Sequence, residues 1–478
     1  MNANSAVTPQ AARSVGRWTL ILTSVAAFMV SLDALVVVTA LPSIQRDLHA
    51  DVSTLEWTVN SYTLAFAAGI VTAAALGDRY GRRLVFALGV ALFAASSAAC
   101  ALAPNSGDLI VARAVQGLGA AIVTPLSLTL LVGAFPAERR GTVVGIWGGI
   151  AGLAVAAGPL VGGAVTEGLD WHWIFWVNVP IGALATVLSL IRLQESRGPD
   201  TRLDPLGAVL VTGAAVAFAW GLVRAGDVGW GSAEVITVLS GGAVLLAGFI
   251  LWERRASAPM LPLRLFRSRV FAAANATGFL MFGSIFSAAF LVSQYFQFAL
   301  GYSPLGTGLR VLPWTATPIV VAPLAGALSD RIGRRPLMVG GLSLQAGGLA
   351  WIAAHATVDS GYAEFALPFI LAGIGISMAI PTTPTEALSA VAPQDVGKAS
   401  GVQNTLTRFG SVFAVAMASA IFAANGHLGS PAGFTDGFRP ALMVVAGLSA
   451  LGAITALAVG GHRRVAAATE PEAIAVAT

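Results

Sequence analysis

Long apolar stretches recur along the whole chain, and they limit its fold more than any other feature. About fourteen stretches of about 18–25 apolar residues are separated by short segments that carry charges or turn residues. A helix of about 20 apolar residues spans the hydrocarbon core of a bilayer. Only 10% of the residues are charged, whereas a soluble domain carries about 25%. This proportion excludes a soluble globular enzyme and a disordered chain, and it predicts an all-α integral membrane protein.

We predict about fourteen transmembrane helices. They lie at Trp18–Leu41, Leu55–Leu76, Leu84–Ala103, Leu109–Val132, Val143–Val165, Ile174–Leu193, Leu206–Val223, Val235–Leu251, Val270–Ala299, Pro304–Leu328, Leu337–Ala356, Phe365–Leu388, Ala399–Ala424 and Phe438–Gly460. The seventh and eighth are the shortest, so the alternative count is about twelve.

Basic residues fall almost entirely on one side of this arrangement. Most of the 27 Lys and Arg residues lie in tails or loops on the side that holds both chain termini. The exceptions lie in loops on the other side or inside predicted spans, and they are Arg46, Arg224, Arg439, Arg113, Arg310 and Arg408. Because cytoplasmic loops are enriched in Arg and Lys, we expect both termini to be cytoplasmic.

Two short segments nearly repeat each other. One is LGDRYGRR from Leu76 to Arg83, and the other is LSDRIGRR from Leu328 to Arg335. An even number of predicted spans separates them, so both lie on the same side. Repeated halves with a site between them are typical of secondary transporters. We therefore predict two six-helix bundles with pseudo-twofold symmetry and two extra helices between them.

The predicted domain boundaries follow from this repeat. An N-terminal cytoplasmic tail covers residues 1–17, and the first six-helix bundle covers 18–193. The two extra helices and their linkers occupy 194–269, the second bundle occupies 270–460, and a C-terminal cytoplasmic tail covers 461–478.

The segment around Asp78 resembles the signature loop between the second and third helices of the major facilitator superfamily. That loop has the pattern G-x-L-x-D-R-x-G-R-R/K. This chain has Ala74 in place of the first Gly, whereas the second copy keeps it as Gly326. The matching positions are Leu76, Asp78, Arg79, Gly81, Arg82 and Arg83.

Four further segments resemble motifs of the fourteen-span drug:proton antiporter group in that superfamily. They are Leu32-Asp33 with Ala40-Leu41-Pro42, Arg113–Gly117, Gly158–Gly163, and Trp171–Phe175 with Asn178-Val179-Pro180. The resemblance covers the whole chain. It implies a proton-coupled exporter of hydrophobic or cationic small molecules such as drugs, antibiotics and dyes. Such a protein works by alternating access in a bacterial inner membrane, and we expect it to act as a monomer.

Asp33 lies inside the first predicted span, where a carboxylate is costly and usually functional. Asp33 lies about 22 Å along its helix from Trp18, and Arg113 lies about 7 Å inside the outer end of the fourth span, so their depths are similar. Pairing with Arg113 would keep Asp33 ionised, whereas apolar burial alone favours the protonated acid. We therefore expect Asp33 to carry a proton; the alternative is a static ion pair. The resemblance implies a coupling role for Arg113, and Gln116 shares its helix face.

Close glycine spacing in the fifth span predicts helices packed backbone to backbone. Gly158 and Gly162 have G-x-x-x-G spacing, and Pro159 kinks the helix. The resemblance associates this segment with export, and simple helix packing is the alternative. The resemblance also implies a gating role for a set of loop residues, with a partner near Lys398. The alternative is that these residues only set the topology. These residues are Asp78, Arg79, Gly81, Arg82, Glu138, Asp330, Arg331 and Arg334.

Aromatic and polar residues inside the spans are candidates for lining a substrate cavity. The aromatic ones could equally face lipid or form an interfacial belt. Three of the candidates share one helix face, namely Phe286, Phe290 and Gln294. The full set is Gln116, Trp57, Asn60, Tyr62, Phe286, Phe290, Gln294 and Arg408.

Other kinds of chemistry lack their sequence patterns. The chain has no G-x-x-x-x-G-K-[ST] segment and no H-E-x-x-H segment, and its five histidines are scattered. No dense basic run suggests nucleic-acid binding. We therefore expect no enzymatic activity, metal or cofactor, and we expect protons, a small-molecule substrate and the bilayer as partners. The alternatives are a dedicated exporter of one endogenous metabolite or antibiotic, a proton symporter for uptake, and a non-transporting membrane sensor.

Overall fold

The structure, a computed structural model, describes residues 9–197, 204–256, 263–392 and 396–459, and no strand occurs in these ranges. A 3₁₀ turn spans Leu263–Arg267 and a π-helical turn spans Tyr295–Ala299. The helices are α1 (Pro9–Leu48), α2 (Val52–Tyr80), α3 (Arg82–Ala101), α4 (Ser106–Ala134), α5 (Ala137–Gly168), α6 (Trp173–Trp176), α7 (Asn178–Arg192), α8 (Pro205–Val228), α9 (Ala233–Glu253), α10 (Arg269–Gln294), α11 (Pro304–Thr315), α12 (Thr317–Ile332), α13 (Arg334–His355), α14 (Tyr362–Ser389), α15 (Val396–Asn425) and α16 (Pro431–Leu457).

The helices follow the predicted spans, with differences at their ends and at breaks. In the described part of the chain, 11 helices are long and apolar enough to cross a membrane, so the expected total of fourteen stays a prediction. Helix α1 begins at Pro9, inside the segment predicted as a tail. The tenth span is broken into α11 and α12, because Pro318 at the start of α12 has no N–H to donate.

Successive long helices run in alternating directions, so their connections collect at two faces of the bundle. We call the face with the turns at Gly81 and Gly333 the proximal face. The opposite face, which holds the connections at residues 49–51, 169–172 and 300–303, is the distal face. We call α1–α7 the N-half and α10–α16 the C-half.

Side-chain caps fix the distal ends of helices that carry the functional residues. Asp51 accepts a hydrogen bond from the Thr54 N–H at the start of α2, and Asn105 accepts one from the Asp108 N–H at the start of α4. These bonds satisfy N–H groups that the first helical turn leaves unpaired. They therefore set where α2 and α4 begin.

The distal loop before α6 is held by Trp171, whose indole N–H donates to Asp47 at 2.9 Å. The Trp171 ring stacks on His172 with ring centroids 3.7 Å apart. Partial burial opposes ionisation of Asp170, but hydrogen bonds from the backbone N–H and ring of His172 outweigh it and lower the pKa of Asp170. The loop thereby ties the end of α1 to the start of α6.

Helices α8 and α9 lie at the periphery of the bundle, beside the contact between the two halves. Helix α8 packs against α2 of the N-half and α15 of the C-half, and α9 packs mainly against α8. Only 17% of the most apolar segment of α9 is buried. The contact with the N-half includes Trp57 and Trp220, whose ring centroids are 5.4 Å apart. The pair therefore covers the outer surface of the α2–α15 contact.

Replacing Trp220 tests this packing. We expect Trp220→Ala to remove an aromatic contact worth about 0.5–1.5 kcal/mol and to lower the melting temperature of the purified protein by about 1 °C. The control is Trp230→Ala, since Trp230 is 57% exposed in the turn between α8 and α9. Equal shifts in the two variants would contradict the proposed contact.

Candidate functional site

Asp33 on α1 and Arg113 on α4 form an ion pair in the interior of the N-half. The Asp33 Oδ2 and Arg113 Nη1 atoms are 2.5 Å apart, and each side chain is only 1% exposed. Opposite charges in a low-dielectric interior attract strongly, but both have lost their water. The structure therefore brings together the two charged residues whose depths the sequence placed alike.

Neutral side chains complete the hydrogen bonds of this pair. Asp33 Oδ1 accepts from Gln116 Nε2 at 2.8 Å and from Asn178 Nδ2 at 3.2 Å. Gln116 Oε1 accepts from Arg113 Nη1 at 2.6 Å. Ser97 Oγ accepts from Asn178 at 3.1 Å and from Gln116 at 3.2 Å. We call Asp33, Arg113, Gln116, Asn178 and Ser97 the polar network; it joins α1, α3, α4 and α7.

The remaining faces of Arg113 are also occupied. Its Nε donates to the Thr58 carbonyl at 3.2 Å, and its guanidinium carbon lies 4.2 Å from the Tyr62 ring centroid. The Tyr62 hydroxyl in turn donates to the Val30 carbonyl at 3.2 Å. Tyr62, which the sequence suggested for the cavity, therefore packs on the polar network instead.

The C-half contains a neutral counterpart of the polar network. Ser284 on α10 accepts from Gln345 on α13 at 3.3 Å and from Ser449 on α16 at 3.0 Å, and it donates to the Val445 carbonyl. All three side chains are completely buried. In each half the cluster therefore joins the first and third long helices to the last, but only the N-half cluster contains an ionisable pair.

An apolar cavity lies between the two halves, with an empty volume of about 650 Å³ that includes open solvent at its mouth. Its wall comes from α1 and α5 of the N-half and from α10, α11, α12 and α14 of the C-half. The lining residues are Leu35, Val38, Thr39, Pro159, Ile285, Ala289, Val292, Ser293, Thr307, Val311, Trp314, Thr315, Pro318, Ile376 and Ile380. None of these residues is charged.

The residues that the sequence suggested for the cavity do not line it. Phe286, Phe290 and Gln294 are buried in the adjacent face of α10, one position further along than Ile285, Ala289 and Ser293. One residue rotates the direction of a side chain by about 100° around a helix. The face of α10 that lines this cavity therefore lies one residue from the face that carries Phe286, Phe290 and Gln294.

The other suggested residues have different surroundings. Trp57 packs on Trp220 of α8, and Gln116 belongs to the polar network. Asn60 is buried in α2, and its amide has no hydrogen-bond partner among the described residues. Arg408 on α15 is partly buried where α15 meets α2, and its guanidinium carbon lies 4.3 Å from the Phe66 ring centroid.

Glycines allow α5 to touch both halves. A Cβ on Gly158 would lie 2.7 Å from Leu35 Cβ, and one on Gly162 would lie 2.8 Å from the Val36 carbonyl oxygen. On the other side of α5, a Cβ on Gly163 would meet the Pro304 carbonyl of α11. Backbone contact of this kind is open only to very small residues.

The halves are joined beside the distal face. The Leu305 N–H at the start of α11 donates to the Glu167 carboxylate of α5 at 3.0 Å. The Ser293 hydroxyl donates to the Val38 carbonyl at 3.3 Å, and the Gln297 amide donates to the Thr39 carbonyl at 3.0 Å. Together with the glycine contacts, these bonds hold the two halves together beside the distal face.

The first signature loop is a tight proximal turn. Gly81 has φ = 112°, a conformation that favours glycine. Asp78 accepts a hydrogen bond from Arg82 at 2.8 Å, and Arg79 is exposed. Glu195, which follows α7, accepts from the Arg83 and Leu84 N–H groups at 3.0 and 3.3 Å, so it caps α3.

The second loop has its own pairing. Arg334 lies 2.9 Å from the Glu386 carboxylate of α14, and it also donates to Ser389. Arg331 is exposed, and Gly333 has φ = 85°. The side chains of Glu138, Asp330 and Lys398 lie outside the described part of the structure. The expected contact near Lys398 therefore stays a prediction.

Several polar residues that make these contacts were not singled out as site residues from the sequence, among them Ser97, Asn178, Glu167 and Glu195. Asn178, an amide at the start of a predicted span, carried a usable signal, because a polar group inside a span needs a partner. Ser97 resembles any other helical serine, and only its neighbours reveal it.

Comparison with known families agrees with this architecture. The sequence profile of the Major Facilitator Superfamily matches residues 23–312 and 274–475. The chain belongs to the major facilitator superfamily. It is 36% identical over 410 residues to the tetracenomycin C resistance and export protein of Streptomyces glaucescens, covering 85% of this chain and 76% of that one.

Two further similarities agree with the assignment to the superfamily. The chain is 38% identical over 411 residues to the multidrug resistance protein Stp of Mycobacterium tuberculosis, covering 85% of this chain and 76% of that one. Its structure resembles that of a peptide transporter, POT, with a TM-score of 0.65 at 17% identity, covering 92% of this chain and 94% of the other. The last similarity concerns the fold alone.

Replacing Gly158 with a larger residue should slow transport by this protein. We expect Gly158→Leu to lower the initial rate of dye transport at least about ten-fold, because overpacking against Leu35 costs about 1–3 kcal/mol. The rate is measured per amount of monodisperse protein. The control is Gly347→Leu, since a Cβ there meets nothing within 4 Å. Parental transport by Gly158→Leu would show that this contact does not limit the cycle.

Removing the Glu167 carboxylate should loosen the contact between the halves beside the distal face. The native Cys100 is buried, so a Val311→Cys variant reports access to the cavity through an added thiol. We expect Glu167→Ala to raise its labelling from the distal side by a membrane-impermeant maleimide about five-fold, as loss of about 1 kcal/mol implies.

The matched control for this labelling is Glu364→Ala. Glu364 also lies near the distal face, but its hydrogen bond to the Gly361 N–H stays within the C-half. An equal rise in labelling with Glu364→Ala, or none with Glu167→Ala, would argue against a closing role for Glu167.

Proposed function

We propose that this protein exports hydrophobic small molecules from a bacterial cell in exchange for protons. One relative is named for tetracenomycin C resistance and export, and another for multidrug resistance. The observation that carries the proposal is the combination of a buried carboxylate–guanidinium pair in one half with an apolar cavity between the halves. The uncharged lining favours hydrophobic over cationic substrates, because a desolvated cation needs a carboxylate partner.

Asp33 is the proposed proton carrier. Its carboxylate accepts hydrogen bonds from Arg113, Gln116 and Asn178. A proton on Asp33 ends the ion pair and leaves Arg113 as an uncompensated buried charge, a state that costs about 3–5 kcal/mol. The helices must then rearrange to give Arg113 another partner or water. Proton binding thereby favours a second conformation.

Helix α1 connects the proton site with the substrate site. Asp33 and Leu35 are two positions apart, so their side chains point in directions about 200° apart around the helix. The Asp33 face lies in the polar network, and the Leu35 face lines the cavity. A rotation or shift of α1 therefore changes both sites at once, which is what obligatory exchange requires.

The direction of transport follows from the proposed orientation. Both termini and the arginine-rich loops of the proximal face lie in the cytoplasm in this proposal, as the positive-inside rule suggests. With the distal contacts closed, the cavity would take substrate from the cytoplasmic side. The proposal includes fourteen transmembrane helices, location in the bacterial inner membrane and action as a monomer.

A dedicated exporter of one compound is the second candidate. It is favoured by the relative that is named for a single compound, tetracenomycin C. The rigid cavity wall, in which Trp314 stacks on Phe369, also suits one shape better than many. A panel of unrelated apolar dyes together with tetracenomycin C separates the candidates. Transport of several compounds supports a multidrug exporter, and transport of a single compound supports a dedicated one.

Transport by everted membrane vesicles tests the proposed function. A pH gradient with the acidic side inside should drive accumulation of the neutral dye Nile red in vesicles that contain the protein. Nigericin, which collapses the gradient, should abolish this accumulation. Control vesicles contain the Gly158→Leu variant. Loss of dye from the vesicles under the same gradient would indicate uptake into cells and would overturn the assignment as an exporter.

Neutralising the ion pair separates a proton carrier from a structural pair. We expect Asp33→Asn to abolish gradient-driven accumulation, because Asn binds and releases no proton in this range. The double variant Asp33→Asn with Arg113→Gln removes both charges and so avoids leaving Arg113 unpaired. It should restore thermal stability but not gradient-driven transport.

The control for this experiment is Asp108→Asn, which changes an exposed carboxylate on α4. It should transport at the parental rate. Recovery of gradient-driven transport in the double variant would show that the pair only holds the helices together.

A further inference from the structure

Thr307 lies in the cavity wall, in the first turns of α11. Thr307 is 1% exposed, and its Oγ1 is buried without a hydrogen bond among the described residues. Two other hydroxyls of the same wall already have acceptors, since Ser293 donates to the Val38 carbonyl and Thr315 donates to the Val311 carbonyl. Leaving a buried polar group unpaired costs about 1–3 kcal/mol, so the Thr307 hydroxyl needs an explanation.

An ordered water explains it poorly. A buried water needs two to four polar partners, and the wall around Thr307 consists mainly of aliphatic and aromatic side chains. Thr307, Val311 and Trp314 follow the i, i+4, i+7 spacing, so they lie on one face of α11. A polar atom that enters the cavity on an otherwise apolar molecule would satisfy the hydroxyl and keep the rest of the wall dry.

The wall beside Thr307 is fixed in place. The Trp314 ring stacks on Phe369 with an interplanar angle of 11°. A Cβ on Gly373 would lie 2.8 Å from the Trp314 carbonyl oxygen, so α11 and α14 touch backbone to backbone there. A rigid aromatic wall with one hydrogen-bonding group next to it orients a flat ligand.

We propose that Thr307 determines specificity in this cavity by donating a hydrogen bond to a carbonyl oxygen of a neutral, flat, apolar substrate that packs against Trp314. This inference rests on the proposed function, because it names the substrate class of the same cavity. The uncharged lining disfavours permanent cations, which would lose their hydration without gaining a carboxylate.

Equilibrium binding to the purified full-length protein in lipid nanodiscs tests the role of Thr307 without transport. The probes are Nile red, which is neutral and has a carbonyl group, and diphenylhexatriene, a hydrocarbon of similar length. Loss of one hydrogen bond of about 1–1.4 kcal/mol weakens binding about five- to ten-fold. We expect this change in the Kd of Nile red with Thr307→Val and no change in the Kd of diphenylhexatriene.

Two matched variants control for packing. Thr307→Ser keeps the hydroxyl and should keep the affinity for Nile red. Thr435→Val removes a buried hydroxyl on α16, outside the cavity wall, that already donates to the Pro431 carbonyl, so it should leave the affinity for Nile red unchanged. Equal weakening of both probes by Thr307→Val, or of neither, would overturn the proposal, as would tight binding of the permanent cation ethidium that Thr307→Val weakens.

Transport of the same probes in energised vesicles keeps the two proposals apart. Gradient-driven accumulation of Nile red with a higher KM in Thr307→Val supports both. Selective loss of Nile red binding without any gradient-driven transport by the parental protein would support the role of Thr307 and overturn the proposed export function. Gradient-driven transport with unchanged Nile red affinity in Thr307→Val would support the proposed export function and overturn the role of Thr307.

Discussion

The Asp33–Arg113 ion pair is the constraint on which the rest of the N-half depends. Two charges at 2.5 Å in a membrane interior hold each other, and neither tolerates loss of its partner. Gln116, Asn178 and Ser97 are placed around the pair because its remaining hydrogen-bonding positions cannot be left empty. Four helices are thereby joined through one centre, and a change of charge at that centre acts on all of them.

The two halves share an architecture but divide the chemistry. Ser284, Gln345 and Ser449 join the helices of the C-half that correspond to those joined by the polar network, yet they carry no charge. A neutral cluster holds helices together at any pH at which proteins function. The C-half contributes most of the cavity wall, whereas the buried ionisable pair belongs to the N-half.

The contact between the halves combines close packing with few hydrogen bonds. Gly163 and Gly308 let α5 and α11 touch through their backbones, and Glu167 accepts the Leu305 N–H beside them. Small residues give this contact area without interlocking side chains, so the helices separate without repacking large groups. Such an interface suits a protein whose halves must part and meet again in each cycle.

The sequence by itself determined the apolar spans, the repeated loops and the similar depth of Asp33 and Arg113, because each depends on position along one chain. Only the tertiary structure decided which face of α10 lines the cavity, that Trp57 packs on Trp220, and that Ser97 joins the polar network. In a soluble helix the apolar face marks the interior. Here lipid and protein core are both apolar, so hydrophobicity does not distinguish the faces of a helix, and packing against neighbours does.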